Sequence, residues 1–317
     1  MVNRAKLSVA CVLGASLAFS LNDVSVKFVS GSYPLYEVML IRSAIALAIT
    51  FAIFVPAEGG LRALKTRRPL LHLFRGMCIV VANLSFFSAI AIIPLAELTA
   101  IFFVAPLLIT AFSAIFLKEA VGFRRWSALF VGIAGVLMIV RPGAMEFQWA
   151  ILLPILAALA YATLNTTTRN MGLSENASAM SLYIQLTFVA VCIVAGLALG
   201  DGRYAGSDHP SLEFLLRAWR PVAPHDLVAI AGSGVCSSVG GYLIAQAYRS
   251  SEAGMVAPFE YTTLVLATIW GFAFWGEVPS LGSAFGIVLI LGAGVFVAVR
   301  EANVNVRPVA RRISGRR

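Results

Sequence analysis

Ten apolar segments occupy most of this sequence, and no other feature constrains its fold as strongly. They cover residues 7–29, 35–55, 71–92, 96–117, 124–140, 149–168, 178–199, 225–247, 255–275 and 281–299. A helix needs about 20 apolar residues to cross the roughly 30 Å hydrocarbon core of a bilayer. Since 60% of the 317 residues are hydrophobic and only 12% are charged, a soluble fold of this size could not bury them. The sequence therefore predicts an all-α polytopic membrane protein with ten transmembrane helices and no soluble domain.

Basic residues are concentrated on one side of the predicted membrane. With the N-terminus inside, 17 of the 24 Lys and Arg residues lie on inner connections or termini, four lie outside and three lie within segments. Because positive charge is enriched on the cytoplasmic side of membrane proteins, both termini are predicted to be cytoplasmic, in the inner (plasma) membrane. We expect the basic tail 301–317 to lie on anionic lipid head groups. Although the net charge is +9, this distribution argues against a nucleic-acid partner.

The ten segments form two runs of five that resemble each other. Leu95–Glu119 aligns with Ala253–Glu277 at an offset of 158 residues, and Asp23 aligns with Asn165 at an offset of 142. An odd number of spans in each run turns the second copy upside down in the bilayer. The sequence therefore predicts a first five-helix repeat at 1–144, an inverted repeat at 145–300 and then the tail. Inverted repeats around a site at mid-membrane are typical of alternating-access carriers.

The same pattern resembles the drug/metabolite transporter superfamily and, within it, the EamA-domain proteins. Segments 5 and 10 are short, and the acidic residues Glu119 and Glu277 follow segments 4 and 9. The run Ser20–Lys27 (SLNDVSVK), with Glu37 and Arg42 after it, is similar to the bacterial S-adenosylmethionine uptake-type subgroup. The resemblance implies a ten-helix secondary transporter, independent of ATP, for a small polar metabolite such as an amino acid, S-adenosylmethionine or riboflavin.

Charged residues inside the segments are the first candidates for function. A charged side chain at the centre of a membrane helix costs about 3 kcal/mol, so it is retained where it is paired or faces a cavity. Asp23 and Lys27 lie four residues apart, so they share one helix face and can neutralise each other. Arg42 lies in the outer half of segment 2. Two interpretations stay open: a structural ion-pair cluster, or contacts from Asn22, Asp23 and Arg42 to a substrate or proton.

A second charged set lies in the inner half of the predicted bundle. Arg75 and Glu260 lie at similar depth, so the sequence predicts an ion pair between their helices. His72 lies near the start of segment 3 and is expected at the membrane interface. Glu260 is flanked by aromatic residues, and Glu260 and Asp23 are the two candidates for proton coupling.

Uncharged polar groups at mid-depth complete the candidate site, because polar side chains need partners where water is absent. Asn83, Gln185 and Tyr242 are candidates for orienting a ligand, and Tyr161 is a candidate for the apolar wall of the site. The predicted substrate-binding residues are Asn22, Asp23, Arg42, Asn83, Tyr161, Tyr242 and Glu260.

Proline and glycine predict helix breaks and close helix contacts. Pro106 should kink segment 4 because it removes a backbone hydrogen bond, and Gly240-Gly241 is expected to interrupt segment 8. Gly282 and Gly286 form a GxxxG pair. This pair fits either packing of segment 10 against segment 5 or a homodimer face.

Enzyme motifs are absent from the sequence, which contains no P-loop, GxSxG or HExxH. No catalytic residue or cofactor is therefore predicted. The four cysteines fall in four different segments without metal-ligand spacing, so neither a disulfide nor a metal site is expected. The alternative function is an intramembrane enzyme or lipid-modifying protein with Asp23, His72 and Glu260 as acid–base groups, and a non-transporting scaffold is a third. The leading prediction is a carrier of a small molecule through the lipid bilayer.

Overall fold

The fold is known from a computed structural model that describes residues 2–118, 122–140, 149–251 and 256–304, and within these ranges it is helical with no β-strand. The main helices are α1 (Val2–Val29), α2 (Leu35–Ile49), α3 (Pro69–Ile90), α4 in two parts (Leu95–Phe102 and Ala105–Phe116), α5 (Phe123–Val140), α6 (Leu152–Met171), α7 (Ala177–Leu199), α8 (Pro224–Ser250), α9 (Thr262–Trp275) and α10 (Leu281–Val304). One of them lies in each of the ten predicted segments. Shorter helical turns are Thr50–Phe54 and Val55–Ala57, which continue α2, and Gly60–Leu64, Trp149–Ile151, Gly172–Ser174, Pro210–Leu216 and Ala257–Tyr261.

Six of these helices are long and apolar enough to cross a membrane: α1, α2 with its continuation, α3, α4, α7 and α8. Helices α5 and α10 also contain apolar stretches, but shorter ones. Only helices satisfy every backbone hydrogen bond inside one segment, so they are the structure that such sequences adopt in lipid. The prediction of an all-α polytopic membrane protein is confirmed.

The packing of the helices is symmetric between the two halves of the chain, as four helix pairs show. Helix α1 packs against α8, and α3 packs against α6. Exchanging the first five helices for the second five turns one of these pairs into the other. The same exchange leaves the pairs α2–α7 and α5–α10 unchanged, and both pairs are in contact.

Glycines bring α5 and α10 into backbone contact. A Cβ atom on Gly135 would lie 2.8 Å from the carbonyl oxygen of Gly286, and one on Gly286 would lie 2.6 Å from that of Gly135. Of the two interpretations of the Gly282/Gly286 motif, the structure therefore places Gly286 in a contact within the chain. Small residues at such positions allow close helix approach in membranes.

The predicted helix break at Pro106 is present, whereas the one at Gly240-Gly241 is not. Helix α4 is broken between Phe102 and Ala105, and Pro106 lies in the first turn of its second part; this prediction is confirmed. The predicted interruption of α8 at Gly240-Gly241 is wrong, since the helix is continuous there. Gly240 instead makes room for α1, because a Cβ at this position would lie 2.8 Å from Cε1 of Phe19.

Helix α10 extends beyond the end of the predicted segment. The helix continues to Val304, four residues beyond Arg300, where the sequence was expected to leave the membrane. The rest of the predicted tail, residues 305–317, lies outside the described residues. So do Glu119 and the predicted repeat boundary at 144/145.

Candidate functional site

A cavity lies between helices α1–α4 of the first half and α6–α9 of the second. It contains about 1030 Å³ of empty space, a figure that includes the solvent at its opening. Aromatic and aliphatic side chains form most of its wall, with a smaller number of polar groups. Six of the seven predicted substrate residues line it: Asn22, Asp23, Arg42, Asn83, Tyr161 and Glu260. Their role in binding stays a prediction.

Arg42 is the centre of a hydrogen-bonded cluster that joins three helices, α1, α2 and α3. Its Nη1 donates to Oδ1 of Asn22 at 3.2 Å, and its Nη2 donates to Oδ1 of Asn83 at 3.3 Å. The Nδ2 of Asn22 in turn donates to Oδ1 of Asp23 at 3.1 Å. Asn22 therefore bridges Arg42 and Asp23, and the two opposite charges line the cavity without a direct ion pair.

Two phenylalanine rings hold the Arg42 guanidinium. Its Cζ lies 5.2 Å from the ring centroid of Phe188 on α7 and 5.7 Å from that of Phe87 on α3. A cation within about 6 Å of a ring face is attracted by the ring quadrupole. These contacts stabilise the charge at a depth where water is scarce, and they fix the orientation of the guanidinium.

Lys27 does not pair with Asp23, so that prediction is wrong. Its Nζ forms an ion pair with Oε1 of Glu277 and lies 4.7 Å from the ring centroid of Trp275. The other oxygen of Glu277 accepts a hydrogen bond from the backbone N–H of Leu95 at 2.8 Å. Because Lys27 pairs with Glu277, just after α9, it does not pair with Asp23. The carboxylate of Asp23 therefore lines the cavity without a lysine partner.

The chain turns sharply before Glu277 reaches α1. Gly276 ends α9 with φ 64°, a left-handed conformation that glycine adopts without a Cβ clash. The N–H of Glu277 then donates back to the carbonyl oxygen of Gly271 at 3.1 Å. The ion pair that frees Asp23 therefore depends on a glycine that closes the helix.

Glu260 lies in the helical turn before α9 and is 6% exposed. It accepts hydrogen bonds from the hydroxyl of Tyr161 on α6, at 2.7 Å, and from the hydroxyl of Tyr248 on α8. Both donors are neutral phenols. Glu260 is therefore a buried carboxylate that joins α6 and α8 to the start of α9.

The predicted ion pair between Arg75 and Glu260 is not formed. Arg75 donates from Nε to Oγ1 of Thr168 at 2.9 Å and from Nη1 to the carbonyl oxygen of Met180 at 3.5 Å. Both side chains nevertheless line the same cavity. They face different partners because the direction of a side chain around its helix axis is set by packing.

His72, which was expected near the membrane interface, is fully buried within the protein. Its Nε2 lies 3.4 Å from Oε2 of Glu175, and its ring packs on Tyr183 with 4.5 Å between centroids. It does not contribute to the lining of the cavity. Burial follows because the connection between α6 and α7, which carries Glu175, folds over the start of α3.

Tyr242 lies outside the cavity lining, unlike the other predicted substrate residues. Its hydroxyl donates to Oε1 of Glu58 at 3.1 Å, and its ring stacks on Phe54 with 4.1 Å between centroids. Both partners belong to the end of α2 and its continuation, so the contact fastens α8 to that end of the bundle.

Some cavity residues were not in the predicted site. Arg75 was expected only as a partner for Glu260, Gln185 only as an orienting group, and Thr99 was missed. The sequence contains no distinct signal for Thr99, because the same segment also contains Thr110 and Ser113. Among the described residues, no group of three His, Cys, Asp or Glu side chains could hold a metal ion.

The sequence model of the EamA-like transporter family matches this chain twice, at residues 6–141 and 148–299. The S-adenosylmethionine uptake transporter of Rickettsia prowazekii is 25% identical to it over 285 residues, which cover 89% of each chain. The riboflavin transporter of Rhizobium johnstonii is 25% identical over 96% of this chain and 95% of the relative. The pseudopaline exporter CntI of Pseudomonas aeruginosa is 28% identical over 91% of this chain and 94% of the relative.

A solved crystal structure has a similar fold. It superposes with a TM-score of 0.66 over 97% of this chain and 100% of the other, at 18% sequence identity. At this identity the likeness concerns the fold alone. It extends over the whole helical bundle, including the helices that line the cavity.

Proposed function

Because the chain belongs to the EamA-like transporter family, we propose that it is a secondary carrier for a small polar or zwitterionic metabolite in the inner membrane. The observation that carries this proposal is the cavity between the two halves, lined by charges of both signs. A carrier needs one site that helices from both halves surround, because their relative motion must expose it to each side in turn. The relatives named for transport of small molecules support the same conclusion.

The proposed mechanism is alternating access by two inverted repeats, 1–144 and 145–300. It is supported by the two separate family matches, one in each half, and by the helix pairs that exchange when the halves are exchanged. Rocking of the halves around the cavity moves the substrate without ATP. The relatives include an uptake transporter and an exporter, so the proposal covers transport in either direction. Both termini are proposed to be cytoplasmic.

In this proposal the charged residues of the cavity bind the substrate. The guanidinium of Arg42 is suited to a carboxylate or phosphate, because its donors are fixed in one plane. Asp23 and Glu260 are suited to an amine or a proton. Asn22, Asn83 and Tyr161 hold these charged groups in place through hydrogen bonds.

The enzyme alternative is not favoured by the arrangement of its three proposed acid–base groups. Asp23 and Glu260 line the cavity, but His72 is buried against Glu175 and Tyr183 outside it. An acid–base mechanism needs its groups within hydrogen-bond reach of one reacting centre. The three side chains do not meet this requirement.

Reconstitution into proteoliposomes tests the proposal. Vesicles preloaded with an unlabelled compound are diluted into the labelled compound, with amino acids, S-adenosylmethionine and riboflavin tested in turn. We expect saturable exchange of at least one compound, dependent on preloading. If none of them exchanges, although the protein is folded and inserted, the proposed function is wrong.

Proton coupling is a secondary part of the proposal. Asp23→Asn and Glu260→Gln each remove one candidate carboxylate with little change in shape. At least one of the two variants should lose the dependence of uptake on an imposed pH gradient while it retains exchange at equal pH. An unchanged pH dependence in both variants would remove this part of the proposal.

A further inference from the structure

A second groove lies on the outside of the bundle, where the last turns of α4 and α6 lie side by side. Its lining is apolar on the α4 side and polar on the α6 side: Phe112, Phe116, Leu117, Thr163, Thr166, Thr167 and Asn170. Phe116 is 68% exposed and Asn170 is also exposed, so the groove opens at the surface of the bundle. In a membrane, this surface faces lipid.

Helix α6 carries polar residues on two opposite faces. Tyr161, Asn165 and Thr168 line the central cavity. The polar residues of the groove follow the spacing i, i+3, i+4 and i+7, which places them together on one helix face. At about 100° per residue, this second face points away from the cavity. The polar residues of both faces explain why α6, although it has 20 residues, is not among the six helices apolar enough to be counted as spans.

The polar side of the groove retains hydrogen-bonding capacity that the protein does not use. The hydroxyls of Thr163 and Thr167 donate to the carbonyl oxygens of Leu159, at 2.9 Å, and of Thr163, at 2.7 Å. Their oxygens therefore remain as acceptors. The exposed amide of Asn170 has no hydrogen-bond partner among the described residues. Because polar groups in a membrane need partners where water is absent, these groups indicate a ligand with donors and acceptors of its own.

Positive charge is concentrated at the end of this groove. Lys118 is exposed and directly follows the last α4 residue of the lining. Arg169 lies in the last turn of α6, and Arg124 and Arg125 lie in the first turn of α5, which begins shortly after α4. Glu119 is the only acidic residue in the stretch 118–125, so the net charge around this end is positive. Basic pockets between membrane helices attract the head groups of anionic lipids.

We infer that the groove between α4 and α6 binds one anionic phospholipid, and that phosphatidylglycerol fits it well. The lipid phosphate lies at the end of the groove, near Lys118 and the amide N–H groups of Asn170. One acyl chain lies against the rings of Phe112 and Phe116, whose centroids are 5.6 Å apart. The hydroxyls of the glycerol head group are donors for the side-chain oxygens of Thr167 and Asn170.

Other ligands fit the groove less well. Phosphatidylcholine brings a cation towards the basic end of the groove and has no hydroxyl donor in its head group. A soluble phosphate compound lacks the acyl chain that covers the aromatic side. The transported substrate is a different ligand, because the groove and the central cavity share no lining residue. The inference is therefore independent of the proposed carrier function.

Native mass spectrometry of the delipidated full-length protein in detergent tests this inference. The protein is titrated with phosphatidylglycerol and with phosphatidylcholine of identical acyl chains, and the affinity for the first bound lipid is measured. We expect the first phosphatidylglycerol to bind at least about tenfold more tightly than phosphatidylcholine. Glycerol 3-phosphate at the same concentration should not displace it. Equal affinities of the two lipids, or displacement by glycerol 3-phosphate, would overturn the inference.

Three variants locate the bound lipid. Lys118→Asn removes the charge, and asparagine tolerates the φ of 56° at this position. Asn170→Leu removes the amide, and Thr167→Val removes a hydroxyl with little change in shape. Each variant should weaken the binding of phosphatidylglycerol about threefold to tenfold and leave that of phosphatidylcholine unchanged.

Two control variants carry the same substitutions outside the groove. Lys65→Asn changes an exposed lysine in the connection between α2 and α3. Thr268→Val changes a threonine of α9 whose hydroxyl donates to the carbonyl oxygen of Leu264 at 2.9 Å, as that of Thr167 does to its own helix. Both controls should retain the affinity of the wild type for phosphatidylglycerol. Wild-type affinity in all three groove variants, or an equal loss in the controls, would contradict the site.

Discussion

The ion pair between Lys27 and Glu277 forms instead of the Lys27–Asp23 pair that the sequence suggested. The strength of this ion pair can be predicted from its burial. The two side chains are 10% and 20% exposed, so they are neither fully solvated nor fully buried. Exposed pairs contribute about 0.2–1 kcal/mol, and hydrogen bonds to charged groups contribute about 1.5–3 kcal/mol. We therefore expect a coupling energy of about 1–2 kcal/mol between these residues, between those limits.

A double-mutant cycle measures this coupling energy. Lys27→Met and Glu277→Gln are made singly and together, and the free energy of unfolding is measured by reversible denaturant titration in mixed micelles. Glutamine keeps an acceptor for the backbone N–H of Leu95, so the cycle isolates the contact with Lys27. The reference cycle combines Lys27→Met with Asp23→Asn.

The expected result is coupling in the first cycle and additivity within about 0.5 kcal/mol in the reference cycle. Additivity in the first cycle would refute the contact. A larger coupling of Lys27 with Asp23 than with Glu277 would show that the pair inferred from helix spacing is the one that forms. Either result would also contradict the conclusion that Lys27 does not pair with the Asp23 carboxylate.

Two further comparisons test the placement of residues. Tyr161→Phe removes a 2.7 Å hydrogen bond to buried Glu260 and should reduce substrate exchange at least about tenfold, equivalent to 1.4 kcal/mol. Tyr242 lies outside the cavity lining, so Tyr242→Phe should change exchange less than about twofold. A greater loss of exchange in Tyr242→Phe than in Tyr161→Phe would contradict the site. Gly286→Leu places a side chain against the backbone of α5 and should lower the free energy of unfolding by about 1–3 kcal/mol. Gly292→Leu is the control, because no atom lies within 4 Å of a Cβ at Gly292, and it should not lower this free energy. Equal unfolding midpoints of the two variants would refute the close contact.

The positions of the helices could be predicted from the sequence because lipid leaves the backbone few alternatives. A long apolar segment must satisfy its own hydrogen bonds, so it becomes a helix wherever it occurs. The break in α4 could be predicted for the same reason, since Pro106 cannot donate to the preceding turn. Counting residues along the helices suggested that Arg75 and Glu260 lie at similar depth, and both side chains line the cavity.

The partners of these side chains could not be predicted, because rotation of a helix about its axis depends on its neighbours. A helix that is apolar all round gives little sign of which face turns inward. Lys27 and Asp23 share a helix face, yet Lys27 reaches Glu277, which lies 250 residues away in sequence. Gly240 likewise marks a close approach of Phe19. From the sequence alone, the Gly240-Gly241 pair instead suggested a helix break.

The most direct test of the central claim is to fill the cavity. Ala82 of α3 is 2% exposed and lines the cavity, so Ala82→Phe puts a ring where the substrate is proposed to bind. Ala198→Phe adds the same ring on an exposed position of α7. Substrate exchange is then measured in proteoliposomes with equal amounts of folded protein. The account predicts that exchange is lost in Ala82→Phe and retained in Ala198→Phe. Exchange at the wild-type rate in Ala82→Phe would contradict it.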